Sequence, residues 1–253
     1  MEDEPSLMTT EVMLARMRDF GQIGVSQTAA LIMGGVFATA AVTFTEILRA
    51  QDALPVRLTG WLVGVCASLQ VFDSLVRRSL IEARPTFHAV PLIGAAGILS
   101  MVGFALLGPQ TGGTDGWRYS QLALFVAAVL FGRSWGSSIA DYVEPALQPL
   151  YERHNERTRN RWRLAWPTIL FALAPFVMAM ADKYWSVPLQ RPIAGVNLLL
   201  CGFFLVSMLR AHRYLAGVYA AAYAAHAEKL RLVRASQGRP TRGRAKAAEG
   251  SKS

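Results

Sequence analysis

The sequence predicts an all-α integral membrane protein, a six-span transmembrane helix bundle with both termini cytoplasmic. Three observations carry that prediction. Hydrophobic residues make up 53% of the chain and charged residues only 17%, a balance that water-soluble domains seldom reach. Six apolar stretches each approach the roughly 20 residues that a helix needs to cross a bilayer. The 26 Lys and Arg residues, set against 17 Asp and Glu for a net charge of +9, fall unevenly on the two sides that those stretches define.

The stretches are Ile23–Leu48, Thr59–Val76, Val90–Leu107, Leu122–Ala140, Leu164–Ala181 and Ile193–Leu209, so residues 22–211 read as the transmembrane domain. Helices suit these runs because hydrocarbon offers no partner for backbone N–H and C=O groups. The first run is not expected to be a cleaved leader, since it is long and follows the acidic Glu2-Asp3-Glu4. Residues 1–21 are a cytoplasmic segment in which 8–20 are expected to form a surface helix with Thr10 as its cap.

Counting cations loop by loop orients the bundle. Arg16 and Arg18, then Arg77, Arg78 and Arg84, then Arg153, Arg157, Arg159, Arg161 and Arg163, and ten cations from Arg210 onward place 20 on one side. The other side holds five, namely Arg49, Arg57, Arg118, Lys183 and Arg191, while Arg133 lies within a span. Positive-inside bias therefore puts both termini in the cytoplasm, and an even span number agrees. Arg outnumbers Lys by 22 to 4 amid abundant Ala and Gly, the composition of a GC-rich bacterial genome, which makes the bacterial cytoplasmic (inner) membrane the expected location.

The loops are short except for Tyr142–Arg163, whose alternating acids and bases mark a solvated helix or loop end. Pro167 and Pro175 fall within the fifth span, where each frees a carbonyl and bends the helix. Pro192 suits the first turn of the sixth. Residues 212–235 read as an amphipathic basic cytoplasmic helix: Leu215, Tyr219, Tyr223, His226, Leu230 and Val233 recur at helical spacing among Arg and Lys. Such a helix lies on the anionic inner leaflet or packs on a partner. Residues 236–253 lack apolar periodicity and read as a disordered basic tail. No internal repeat supports a transporter built from two matching halves.

Several chemistries are not expected. Cys66 and Cys201 sit in apolar runs and form no C-x-x-C pair, and His88, His154, His212 and His226 form no helical metal pair. Phosphate-cradling glycine motifs are absent from the chain. A rhomboid-type intramembrane serine protease needs Gly-x-Ser-Gly in the fourth span and a histidine in the sixth, but no glycine follows Ser134, and His212 lies at the inner edge. The chain is accordingly expected to carry no catalytic chemistry, cofactor or metal.

Ionisable groups within a bilayer are functional candidates, because even low insertion costs put a central Asp or Arg at about 2.5 to 3.5 kcal/mol. Asp73 lies near the inner end of the second span and Arg133 deeper in the fourth. Gln70, Asp73 and Arg77 form one helical stripe, and Arg133, Ser137 and Asp141 another. Asp73 is expected to pair either with Arg77 on its own helix or with Arg133 across a polar cavity; Arg133 alternatively snorkels to the inner headgroups. Gly60-x-x-x-Gly64 and Gly132-x-x-x-Gly136 supply faces for close helix packing. Thr39, Thr43 and Glu46 make an outer stripe on the first span. They either line a cation entrance or, for the threonines, bond their own helix carbonyls. Asn197 is expected to hydrogen-bond between helices.

The string Gly34-Gly-Val-Phe-Ala-Thr-Ala-Ala-Val-Thr-Phe-Thr-Glu-Ile-Leu48 resembles the opening helix of bacterial six-span potassium channels of the lysosomal-channel family, except that Met33-Gly34 stands where that family has Ser-Asp. No family is assigned on that run, but it agrees with a channel. Two functions compete: a channel or transporter-type bundle for a small ion or solute, and an accessory subunit of a larger membrane complex. Expected partners are anionic inner-leaflet lipids and either further copies of the chain or other membrane subunits. Nucleic acid is not among them, because cations beside a bilayer meet anionic headgroups first.

Overall fold

The computed structural model describes residues 7–19, 24–49, 52–81, 89–133, 142–145, 147–186 and 188–237. Helix α1 (Thr10–Asp19) is followed by α2 (Gly24–Ile47), α3 (Leu54–Ile81), α4 (Ala89–Leu107), the single turn α5 (Pro109–Gly112), α6 (Gly116–Arg133), α7 (Gln148–Trp185) and α8 (Gln190–Gln237). Among the described residues, the one departure from helices and turns is a two-residue parallel pairing of β1 (Leu7–Met8) with β2 (Tyr142–Val143). Each of the six apolar stretches falls on a helix over its described residues, except that Leu48 lies in the turn after α2. Among those residues three helices are long and apolar enough to cross a membrane, Ala30–Ile47, Leu54–Leu75 and Gln190–Tyr214, and two are shorter apolar helices, Pro91–Leu107 and Gly116–Phe131.

Boundaries differ from expectation in ways that local chemistry explains. Helix α1 is capped one residue early: the Thr9 hydroxyl accepts from Val12 N at 3.2 Å, the geometry of an N-cap. Thr10 instead donates its backbone N–H and its hydroxyl to Glu144 Oε2, each at 2.6 Å. The stretch 148–163 is the start of α7, the helical one of the two forms expected of its charge pattern. Helix α7 ends at Ser186, a left-handed C-cap with φ 52°. Pro192 stands in the first turn of α8, as expected, and Ile193 N donates to Leu189 O at 2.9 Å there. Helix α6 begins at Gly116 rather than Leu122, so Arg133 lies about 26 Å along it from Gly116 at about 1.5 Å per residue.

Neighbouring side chains fix the helix directions. Helices α2 and α4 run parallel, since Ile32 meets Gly97, Met101 meets Gly35 and Glu46 meets Gly108. Helix α4 is antiparallel to α3, through Leu107 at Gly60 and Phe104 at Gly64, and to α6, through Leu124 at Gly103 and Leu106 at Gly116. Helices α3 and α8 run parallel: Thr59 pairs with Asn197, Cys66 with Cys201, Gln70 with Ser207 and Asp73 with His212. A core of Val36, Val56, Phe104, Leu107, Trp117 and Ile193 joins α2, α3, α4, α6 and α8 at one end. Trp61 anchors it by donating Nε1–H to Ala40 O at 2.8 Å. Ile93, Ala96 and Phe131 form a second core towards the other end. Outside these cores Leu31 (78%), Ile98 (60%), Leu170 (62%) and Leu199 (64%) are exposed, so α2, α4, α7 and α8 all carry outward apolar side chains.

Helix α8 is unbroken over 48 residues, about 72 Å at about 1.5 Å per residue. Its final third packs against α1, where Met13 and Ala222 are buried and Lys229 pairs with Glu11 at 3.0 Å. The two expected surface helices therefore cover part of each other.

Candidate functional site

Helix α3 carries buried polar groups between Arg57 and Ser74: Arg57, Thr59, Ser68, Asp73 and Ser74 are all buried. In an apolar bundle each such group must find a partner or leave a cost of a few kcal/mol.

Arg57 is fully buried. Its guanidinium donates to the backbone oxygens of Leu107 and Gly113, each at 2.7 Å, and to Asp52 Oδ2 at 3.0 Å. Leu107 ends α4 and Gly113 follows α5 with φ 63°, a conformation that suits glycine. A second charged cluster lies at the same end. Arg118 pairs with Asp115 and, at 2.6 Å, with Asp182 Oδ2, while Lys183 pairs with Asp115 at 3.1 Å and donates to Tyr119 Oη at 2.9 Å. Asp182 Oδ1 also accepts from Leu189 N at 3.1 Å, tying α6 to the α7–α8 turn. The hydrogen bond to Tyr119, then that to Asp115, raises the Lys183 pKa, and the Lys183 hydrogen bond lowers that of Asp115. Sequence reasoning counted Arg57, Arg118 and Lys183 only as loop charges. Their partners come from distant helices, and no local spacing announces them.

One turn further in, Asn197 Nδ2 of α8 donates to Thr59 Oγ1 at 3.4 Å, the interhelical role expected of it. A Cβ at Gly60 would lie 2.8 Å from Gln121 Nε2 and 3.8 Å from Asn197 Nδ2. Gln121 is 6% exposed and Asn197 0%. Gln121 Nε2 and Asn197 Oδ1 are buried with no hydrogen-bond partner among the described residues. Below them lies a cavity of about 50 Å³ between α3, α4, α6, α7 and α8, lined by Gly64, Ser68, Ser100, Gln121, Phe131 and Pro175 among others. Among the described residues no ionisable side chain is in its lining. Ser100 is turned back on its own helix, donating to Ala96 O at 2.9 Å.

Towards the far end Gln70 Nε2 donates to Ser207 Oγ at 2.8 Å, and Asp73 Oδ1 meets His212 Nδ1 at 3.4 Å, with Asp73 buried and His212 exposed. The expected stripe of Gln70 and Asp73 thus faces α8, and His212 is a partner that sequence reasoning set aside. Ser137 and Gly136 lie outside the described residues, as do the side chains of Arg77 and Arg133. Gly132 is described only as backbone of α6. On α3, Gly60 and Gly64 receive side chains of α4 and α6, with a Cβ at Gly64 falling 2.7 Å from Phe104 Cζ. On α2 the Thr39 hydroxyl donates to its own helix at Gly35 O, 2.9 Å away. Thr43 is buried. Glu46 Oε2 is buried beside Gly108 without a hydrogen-bond partner among the described residues.

No family model matches the chain, and no curated protein and no solved structure is significantly similar to it. The class that the fold defines is a helical protein with helices long and apolar enough to cross a membrane and with buried polar side chains from Arg57 to Ser74 on one of them.

Proposed function

We propose that the chain is a six-span protein of the bacterial cytoplasmic membrane, with cytoplasmic termini and without catalytic chemistry, that passes a small solute along the seam between α3, α6 and α8. The parallel course of α3 and α8 supports the span count. Two parallel crossing helices need an odd number of crossings between them, and α4, α6 and α7 supply three. Exposed Ile98 and Leu170 give α4 and α7 lipid-facing side chains. The excess of cations on the side of α1 and of the end of α8 supports cytoplasmic termini.

The single observation that carries the transport reading is the run of buried polar groups from Thr59 to Asp73 on either side of the cavity. At about 1.5 Å per residue that run covers about 21 Å, most of a hydrocarbon core of about 30 Å. Polar side chains at such depth are costly and mark solute paths. The test is flux into liposomes that contain only this chain. Uptake of small solutes above protein-free vesicles, reduced in Asp73→Asn with folding intact, is the expected result. No flux, with another membrane protein co-purifying in fixed ratio, would sink it.

The end of α8 favours a second role, in which the chain is an accessory subunit docked on another membrane protein. Tyr223, Leu230, Leu232 and Val233 are exposed there among Arg231 and Arg234. Leu230 lies about 24 Å beyond Tyr214 along one unbroken helix, farther than the 5–10 Å depth at which interfacial helices sit. A protein partner suits that segment better than the leaflet itself.

A further inference from the structure

We propose that Gln121 and Asn197 form the recognition station of the seam and that its ligand is a small uncharged solute bearing both hydrogen-bond donor and acceptor groups, of the size of urea. This rests on the solute-passage reading above and names the substrate class.

The two amide tips converge where Gly60 has no side chain: each lies within van der Waals reach of the position that a Cβ there would occupy. Both residues are more than nine-tenths buried, and each keeps an atom without a partner among the described residues, Gln121 Nε2 as a donor and Asn197 Oδ1 as an acceptor. Asn197 is held in place by its bond to Thr59, so its other amide atom, the oxygen, is oriented by the fold. Gln121 also lines the cavity. The Gln121 amide, opening on a space of about 50 Å³, and the Asn197 amide behind it beside Gly60 match a molecule that accepts from one and donates to the other. Exchanging the O and N positions of the Gln121 amide leaves an acceptor in place of the donor and still calls for a polar ligand.

The wall decides against ions. An ion entering a low-dielectric site needs a ring of oxygens or a countercharge to replace its hydration. Among the described residues the cavity lining holds no ionisable side chain, and of its two serines Ser100 is already bonded to Ala96 O. A neutral solute does not meet that obstacle. The space fits one such molecule, or about three to five waters at about 10–15 Å³ each.

The test uses the full chain in liposomes, with urea as the probe in stopped-flow light scattering and K⁺ flux measured in parallel. Urea permeability at least tenfold above protein-free vesicles, with K⁺ at background, is expected. Gln121→Met, which keeps the shape and removes the amide, is expected to return urea permeability to near background while the melting temperature in detergent stays level or rises. If that variant does not fold, Gly60→Ala, which places a methyl between the tips, is expected to give the same loss. K⁺ flux without urea flux would overturn the assignment and leave solute passage standing. Absence of any flux would overturn both. Urea flux unchanged in a folded Gln121→Met protein would remove Gln121 from the path.

Discussion

The buried guanidinium of Arg57 donates to the carbonyl oxygen of Leu107 at 2.7 Å, so a cation on α3 closes the C-terminal end of α4. The negative pole of α4 and the positive side chain meet where water is excluded, the setting in which helix-end charges are worth most. The same side chain reaches Gly113 O and Asp52, so one residue joins the α2–α3 turn, the end of α4 and the α5–α6 turn.

Removing that cation is expected to be costly. Arg57→Met leaves two backbone carbonyls without their donor, and each buried acceptor left unsatisfied costs about 1–3 kcal/mol. Arg57→Lys is expected to fall between, because a single ammonium lacks the planar fork that reaches several acceptors at once. Thermal unfolding in detergent, followed by size-exclusion fluorescence, orders the three proteins as wild type, Arg57→Lys, Arg57→Met. Equal melting temperatures would show that the contact holds nothing together.

The small-residue face of α3 makes a second claim. Phe104 is fully buried and rests where Gly64 lacks a Cβ, 2.7 Å from where that atom would stand. Gly64→Ala is therefore expected to destabilise by about 1–3 kcal/mol through overpacking. Phe104→Leu in the Gly64→Ala background is expected to recover part of that loss, which a double-mutant cycle measures. Additive effects would mean that the two side chains do not share the space.

The parallel pairing of α3 with α8 is open to a chemical check with native residues. The Cys66 and Cys201 thiols are free and within hydrogen-bonding reach of each other. Mild oxidation with diamide is expected to remove both thiols together without forming a dimer, as judged by mass spectrometry of the intact chain. Cys66→Ser is expected to leave Cys201 reduced under the same treatment. Dimers in place of an internal bridge would contradict the register.

Much of this architecture was legible in the sequence, and the remainder was not for definable reasons. Apolar runs anticipated helices over the described residues, because hydrocarbon offers the backbone one solution, and three of those helices are long and apolar enough to cross a membrane. The stripe of Gln70 and Asp73 was visible as helical periodicity. Its partners Ser207 and His212 were not, since pairing between helices more than a hundred residues apart leaves no local pattern. Arg57 and Arg118 looked like loop cations for the same reason. Gln121 carries no charge and begins an apolar run, so neither a count of ionisable groups nor hydropathy singles it out. The Thr10 cap was misplaced by one residue because Thr9 and Thr10 are both good caps, and only the Glu144 carboxylate distinguishes them.

That carboxylate links two distant parts of the folded chain and gives a pH-dependent contact. The Thr10 hydroxyl and then its backbone N–H hold the Glu144 carboxyl below the ordinary carboxylate range. A carboxyl with a folded pKa below its unfolded value, about 4.3 for Glu, stabilises fully above that unfolded value and loses its contribution as pH falls through the folded one. Seating of α1 against the start of α7 is therefore expected to be insensitive to pH between neutrality and about pH 5 and to weaken in more acidic solution. Glu144→Gln keeps an oxygen for Thr10 but not the charge, and charged acceptors form the stronger hydrogen bonds. The variant is expected to show faster amide exchange in α1 at neutral pH and little further change on acidification. Hydrogen exchange at Glu11–Met13 measures both, and a wild-type protein whose α1 protection is unchanged well below about pH 4 would refute the linkage.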